Sequence, residues 1–264
     1  MTIHQAVFLF AMAVLGGVLN SVAAGGGFLC FPALLFAGMP PIKANATNTA
    51  ALWPAAAAST TAYRSLLAGY RRLLLPLTGT GIVGGTLGAA LLLHTPQTTF
   101  LRMVPWLLLS ATLLLAFSGP ITRWLGMAAP GSDAGPGAFM AEPSRRRLLA
   151  AALLQMFIAM YIGFFGPGAG ILTMALLALL GVRNIHAVNG LKTMLATISN
   201  GMALITFILA RTIVWPQATV MIAGATLGGY GGAWYAQRLP SHYVRWFAIV
   251  TGAGMTVYFF IRTP

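Results

Sequence analysis

The chain has 264 residues, 58% of them hydrophobic and 6% charged, with a net charge of +13 at neutral pH. Soluble domains carry about a quarter charged residues, so this composition excludes an ordinary soluble domain and indicates a polytopic membrane protein. The basic residues sit mostly between apolar runs, where they act as topology determinants, and no nucleic-acid partner is expected.

Long apolar segments run over residues 3–24, 44–63, 73–93 and 98–118, and again over 148–165, 187–209, 215–237 and 242–261. Each is close to the ~20 residues that cross a bilayer as helix. Residues 1–5 lack the basic stretch of a cleavable signal peptide, so the first run is expected to belong to the mature fold.

Two further apolar segments, 28–38 and 170–181, are short. At ~1.5 Å per residue each reaches roughly 17 Å, about half the hydrocarbon thickness. Each follows a glycine-rich break: Asn20 through Gly25, Gly26 and Gly27 in one case, and Gly163 through Gly166, Pro167, Gly168 and Gly170 in the other. Glycine clusters and Gly-Pro-Gly do not sustain a helix. An opened backbone inside a membrane must be buried in protein or line a water-filled cavity. Paired breaks in two halves are the pattern of a transporter's binding site.

The halves match each other. Gly27, Leu29, Gly38, Ile42 and Ala44 recur 143 residues later as Gly170, Leu172, Gly181, Ile185 and Ala187. Farther on, Pro76, Ile82, Gly84, Thr86, Leu87 and Gly88 recur 140 residues later as Pro216, Ile222, Gly224, Thr226, Leu227 and Gly228. The expected fold is therefore an all-α integral membrane protein of two repeats, each with four long helices and one short helix after its break. The organisation is a first repeat over 1–118, a polar cytoplasmic linker over 119–147 and a second repeat over 148–264.

The charges favour inverted repeats. If each short helix counts as a crossing and the linker is cytoplasmic, ten basic residues fall inside and four outside (Lys43, Arg102, Arg211, Arg262), with Lys192 counted as intramembrane. If it does not count, the repeats are parallel and the split is nine to five. The inverted arrangement puts both termini outside.

Gly25-Gly26-Gly27 leading through Gly38-Met39-Pro40-Pro41 to Ala44-Asn45-Ala46-Thr47-Asn48 resembles the first repeat of the TauE/SafE sulfite exporter family. Asn189-Gly190-Leu191-Lys192-Thr193 and the glycine-rich run from Gly224 to Gly232 resemble its second repeat. The resemblance covers nearly the whole chain apart from the linker. It implies export of a small sulfur-containing anion, sulfite or an organosulfonate, across a bacterial inner membrane by a pseudo-symmetric bundle.

Lys192 lies a few residues into a span, at a cost of ~3 kcal/mol on insertion scales. It shares a helical face with Asn189 and Asn200, which reads as an anion path or, alternatively, as a lysine snorkelling to the interface. The related helix of the first half carries Asn45, Asn48, Thr49 and Ser59, as path lining or as interhelical glue, with Thr49 where the second half has lysine. At the breaks, the free amides and positive dipole end of each short helix suit an anion; the rival reading is a turn or close packing, the role expected of Gly84, Gly88, Gly224 and Gly228. The candidate substrate-binding residues are thus Asn20, Gly25, Gly26, Gly27, Asn45, Asn48, Thr49, Gly166, Pro167, Gly168, Gly170, Asn189, Lys192 and Asn200.

The only acidic residues, Asp133 and Glu142, fall in the linker, so no catalytic set can be assembled and no carboxylate proton relay crosses the membrane. Neither a cofactor nor a metal is called for, and Cys30 is the only cysteine. The expected partners are a small anionic substrate and the lipid bilayer, and a homo-oligomer is compatible with the sequence. Two rivals stand beside this reading: a transporter or channel for another small anion, and a non-transporting membrane scaffold.

Overall fold

A computed structural model of the chain describes residues 1–23, 26–63, 67–124, 144–182, 184–236 and 241–262; within them, the side chains of 21–23, 62, 121–124, 185, 231–236 and 241–245 are not considered. The described residues form helices without a β-strand. In order these are α1 (Ile3–Ala23), short α2 (Gly27–Phe36), α3 (Pro41–Ala62), α4 (Arg71–His94) and α5 (Gln97–Trp124), then α6 (Arg145–Phe164), short α7 (Ala169–Leu179), α8 (Ile185–Leu209), α9 (Trp215–Ala236) and α10 (Ser241–Arg262). A single 3-10 turn, Ala68–Tyr70, leads into α4.

The short helices have 10 and 11 residues and the long ones 20 to 28. Five helical stretches are long and apolar enough to cross a membrane on length and composition alone. α3 also has 22 residues but carries Asn45, Thr47 and Asn48, all buried, as befits a helix whose first half is enclosed by others. Large apolar side chains such as Leu75, Leu91, Phe117, Phe157 and Leu209 stand exposed on the outside. In water that surface would be a liability; against lipid it is the expected one.

Two differences from the sequence reading have plain local causes. The short helices end earlier than expected, at Phe36 and Leu179, because glycines two residues on close them. Gly38 and Gly181 adopt φ of +82° and +83°, conformations that glycine takes without steric cost. In the first, the Gly38 and Met39 amides donate back to the Leu35 and Leu34 carbonyls; in the second, Gly181 and Val182 donate to Ala178 and Leu177. The same left-handed cap is therefore built twice, at the repeat spacing. The second difference lies at the linker. α5 continues through Gly119 and Pro120 to Trp124, and α6 begins at Arg145 behind Ser144, whose hydroxyl accepts from the Arg147 amide. Residues 125–143 of the expected linker lie outside the described residues, as do Arg64, Arg183 and Arg238 of the charge count.

The two halves exchange partners. The tightest pairings are α1 with α9 and α4 with α6, so the fourth helix of each half packs on the first helix of the other. α4 also packs on α8, and α9 on α3; α5 meets α7, and α10 meets α2. Glycine makes the closest of these approaches. A Cβ built on Gly228 or Gly88 would overlap the carbonyl oxygen of Val14 or Met160, and one on Gly84 would overlap that of Met156. Gly224 faces the Phe10 carbonyl and Ala13. All four glycines expected to serve packing do so, letting backbones touch where lipid gives no hydrophobic drive.

These contacts also set the helix senses. Along α1, Phe10 and Val14 meet Gly224 and Gly228, so α1 and α9 are parallel. α3 runs parallel to α9 as well, since Thr47 accepts from the Val214 amide and Ala55 lies near Gly229. α3 and α8 are antiparallel, with Trp53 beside Gly201 and Tyr63 beside Gly190. α5 and α10 are antiparallel too, through Trp106 with Phe260 and Thr112 with Gly252. α1 and α3 thus share one sense, with the short α2 between them.

Candidate functional site

The two glycine-rich breaks meet. A Cβ built on Gly27 would lie 3.1 Å from Pro167 Cγ and 3.6 Å from Asn48 Nδ2. Gly27 opens α2, and Pro167 lies two residues before α7, so two short-helix N-termini adjoin each other. The first amides of any helix lack intrahelical acceptors and carry the positive end of its dipole.

The second break is held open by its own chemistry. Gly166 and Gly168 sit at φ of +96° and +82°, which a side-chain-bearing residue rarely adopts. Pro167 has no amide hydrogen to continue the helix, and its carbonyl accepts from the Tyr161 hydroxyl at 2.7 Å. The Phe165 and Gly166 amides both return to the Tyr161 carbonyl, ending α6. Beside the second break, Phe31, Phe100, Phe164 and Phe165 pack edge to face, with centroids 5.6 Å apart for Phe31–Phe165 and for Phe100–Phe164. This buried aromatic cluster joins α2 and α5 to the end of α6.

α3 supplies the polar wall. Asn45 Nδ2 donates to the Phe164 carbonyl at 3.1 Å, tying α3 to the end of α6 across 119 residues of chain. Asn48 lies one turn on, on the same face. Both side chains are buried, 1% and 4% exposed, and the Oδ1 atoms of both have no hydrogen-bond partner. Thr49 turns its hydroxyl to the Asn45 carbonyl of its own helix at 3.0 Å, and Ser59 bonds its own Ala55 carbonyl.

The remaining candidates fall in three places. Asn20 lies against Gly26, whose built Cβ would be 3.0 Å from Asn20 Cβ and 2.6 Å from the Gly16 carbonyl, so Gly26 is a contact between α1 and the start of α2. Gly168 abuts Ala111 of α5, and Gly170 is half-buried in the first turn of α7. Gly25 lies outside the described residues. On α8, half-buried Lys192 donates from Nζ to Asn189 Oδ1 at 3.2 Å, an i, i+3 pair. No carboxylate exists in any described helix to neutralise it. Asn200 binds the Ala196 carbonyl of its own helix at 3.1 Å.

The structure thus brings Asn20, Gly26, Gly27, Asn45, Asn48 and Pro167 together, and it pairs Lys192 with Asn189 separately on α8. Tyr161 and the Phe164 carbonyl escaped the sequence reading. A lone tyrosine six residues before Pro167 is a weak signal, and a backbone acceptor gives none. Among the described residues no group of three His, Cys, Asp or Glu side chains could hold a metal ion.

The family profile described as "Sulfite exporter TauE/SafE" matches residues 9–259, which includes both breaks and all the candidate residues. The chain belongs to the TauE/SafE family. A "Probable membrane transporter protein" of Haemophilus influenzae is 33% identical over 230 residues, covering 85% of this chain and 82% of the relative. The "Probable membrane transporter protein YfcA" of Escherichia coli K12 is 29% identical over 256 residues, with 94% and 87% covered. "Probable membrane transporter protein ORF9" of a Sinorhizobium species is 24% identical over 254 residues, with 96% and 92% covered. No solved structure matches the chain. Family membership, these relatives and the apolar helices make the protein a multi-pass membrane transporter, not an enzyme.

Proposed function

We propose that the protein exports a small sulfur-containing anion, sulfite or an organosulfonate, across the bacterial inner membrane by alternating access between two inverted repeats. The observation that carries this reading is the meeting of the breaks at Gly27 and Pro167. Two adjoining helix N-termini offer an anion a dipole end from each half at once; at α7 the Ala169 and Ile171 amides already bond the Gly166 and Gly168 carbonyls, so the dipole carries the attraction there. Lys192 adds a full positive charge to the second half only, on a helix antiparallel to α3.

Inversion is supported by the helix senses. Shared direction of α1, α3 and α9, with α3 against α8 and α5 against α10, is what five crossings per half require. Parallel repeats would make α3 and α8 run the same way. The exchanged pairings then give two bundles that can rock about the breaks, each built from both halves.

The test uses purified protein in liposomes, with binding and efflux measured for sulfite, short organosulfonates, sulfate and chloride. Saturable efflux of sulfite or a sulfonate, competed poorly by chloride, is expected. Selective flux of a non-sulfur anion would move the assignment to that anion, and absence of flux for the whole panel from well-folded protein would favour a scaffold.

A further inference from the structure

The wall formed by Asn45, Asn48 and the end of α6 has the wrong polarity for an anion. The Phe164 carbonyl cannot donate, so Asn45 must turn its Nδ2 toward it, leaving Oδ1 as the bare atom. Asn48 Oδ1, one turn away, is equally without a donor. Leaving one such buried acceptor unsatisfied is costly, and here two stand on one face of one helix. The end of α6 has the same sign. It is the negative end of a helix dipole, and its ladder is cut short because Gly166 donates back to Tyr161 while Pro167 has no hydrogen for the Gly163 carbonyl.

We propose that this wall binds an alkali cation, placed beside the anion-facing N-termini of α2 and α7. Broken membrane helices commonly divide the work this way, with N-termini toward the anion and amide or carbonyl oxygens around a monovalent cation. A divalent ion would want carboxylates, and no described helix contains one. The coupling role of the cation rests on the transport reading above; its binding does not. A cation here would supply what the carboxylate-free spans lack, a charge that moves with the substrate and draws on an ion gradient.

The experiment measures thermal unfolding of the detergent-purified full chain in rising NaCl or KCl, with choline chloride holding ionic strength and chloride constant. A ligand bound only by the folded state stabilises it by RT ln(1 + [L]/Kd), so the midpoint is flat below Kd and climbs with the logarithm of concentration above it. The expected result is a rise with Na+ or K+ over choline that sets in near the dissociation constant and is logarithmic beyond it. Asn48→Leu should abolish it, whereas Asn48→Asp, which keeps an acceptor and adds charge, should lower the onset concentration at least several-fold. Asn48 is chosen because Asn45 also ties α3 to α6. Identical midpoints in all three salts would overturn the proposal, and so would an effect that survives Asn48→Leu. If Asn48→Leu does not fold, an Asn48→Asp protein with unaltered cation dependence overturns it equally. Cation-dependent stability without anion flux would reject only the transport reading, and flux indifferent to alkali cations, with no stabilisation, would reject only this one.

Discussion

Gly27 of the first half faces Pro167 of the second so closely that a Cβ built on Gly27 would lie 3.1 Å from Pro167 Cγ. A Cβ at Gly27 would already press on Pro167, and a longer side chain would press on Asn48 as well. Gly27→Leu should therefore reduce anion binding at least tenfold, read by equilibrium binding to monodisperse protein. Gly26 and Gly168 are poorer probes, since one faces the Gly16 carbonyl and the other needs φ of +82°. Wild-type affinity in a folded Gly27→Leu protein would separate the breaks from the substrate.

Lys192 is held by Asn189 and has no carboxylate within the described helices. Lys192→Ala should cut efflux at least tenfold while membrane insertion and monodispersity stay normal, and Lys192→Arg should retain part of it. Efflux equal to wild type in the alanine variant would mean that the lysine serves only the interface.

The glycine crossings call for a different outcome. Gly88→Leu and Gly228→Leu each drive a side chain into a carbonyl of the facing helix, Met160 in one case and Val14 in the other. Overpacking costs typically 1–3 kcal/mol, and more against backbone. Folded yield by size-exclusion fluorescence should collapse in both, by similar amounts, because the two positions are repeat equivalents.

Gln155 is fully buried on α6, and neither atom of its amide has a partner. Replacing an unsatisfied buried amide by an apolar group of similar shape removes a desolvation cost of about 1–3 kcal/mol. Gln155→Met should leave the unfolding midpoint unchanged or raise it. A fall of several degrees would show that the amide is satisfied in the membrane.

Topology is open to direct measurement. In a Cys30→Ala background, Ser144→Cys should label from the cytoplasm only and Thr95→Cys from outside only. Cys30 itself is fully buried, so its removal costs little labelling information. Ser144→Cys labelled only from outside would reverse the assignment.

The helices themselves were legible from residues alone, and their exact limits, which the sequence reading placed a few residues off, are set by local signals. Pro41 opens α3, Asn184 caps α8 through the His186 and Ala187 amides, and Gly38 and Gly181 close the short helices. Lys192 with Asn189 was legible for the same reason, being three apart on one helix. The partnership of α1 with α9 was not. Gly224 and Gly228 mark a face built for close contact, but small residues fit any small-residue face and so do not name their mate. Asn45 shows the limit most sharply, since its partner is a carbonyl 119 residues away that any amino acid would have supplied.

The exchange of partners between halves has a consequence for biosynthesis. α1 leaves the ribosome first, yet the helix that fills its glycine face, α9, is made roughly two hundred residues later. α4 likewise waits for α6. The nascent first half is therefore expected to sit in the bilayer with two unfilled seams, one closed once α6 is made and the other only after translation has passed residue 236. Neither half expressed alone should be monodisperse, whereas the two expressed together as separate chains should assemble, because among the described residues the halves are joined by helix-to-helix contacts.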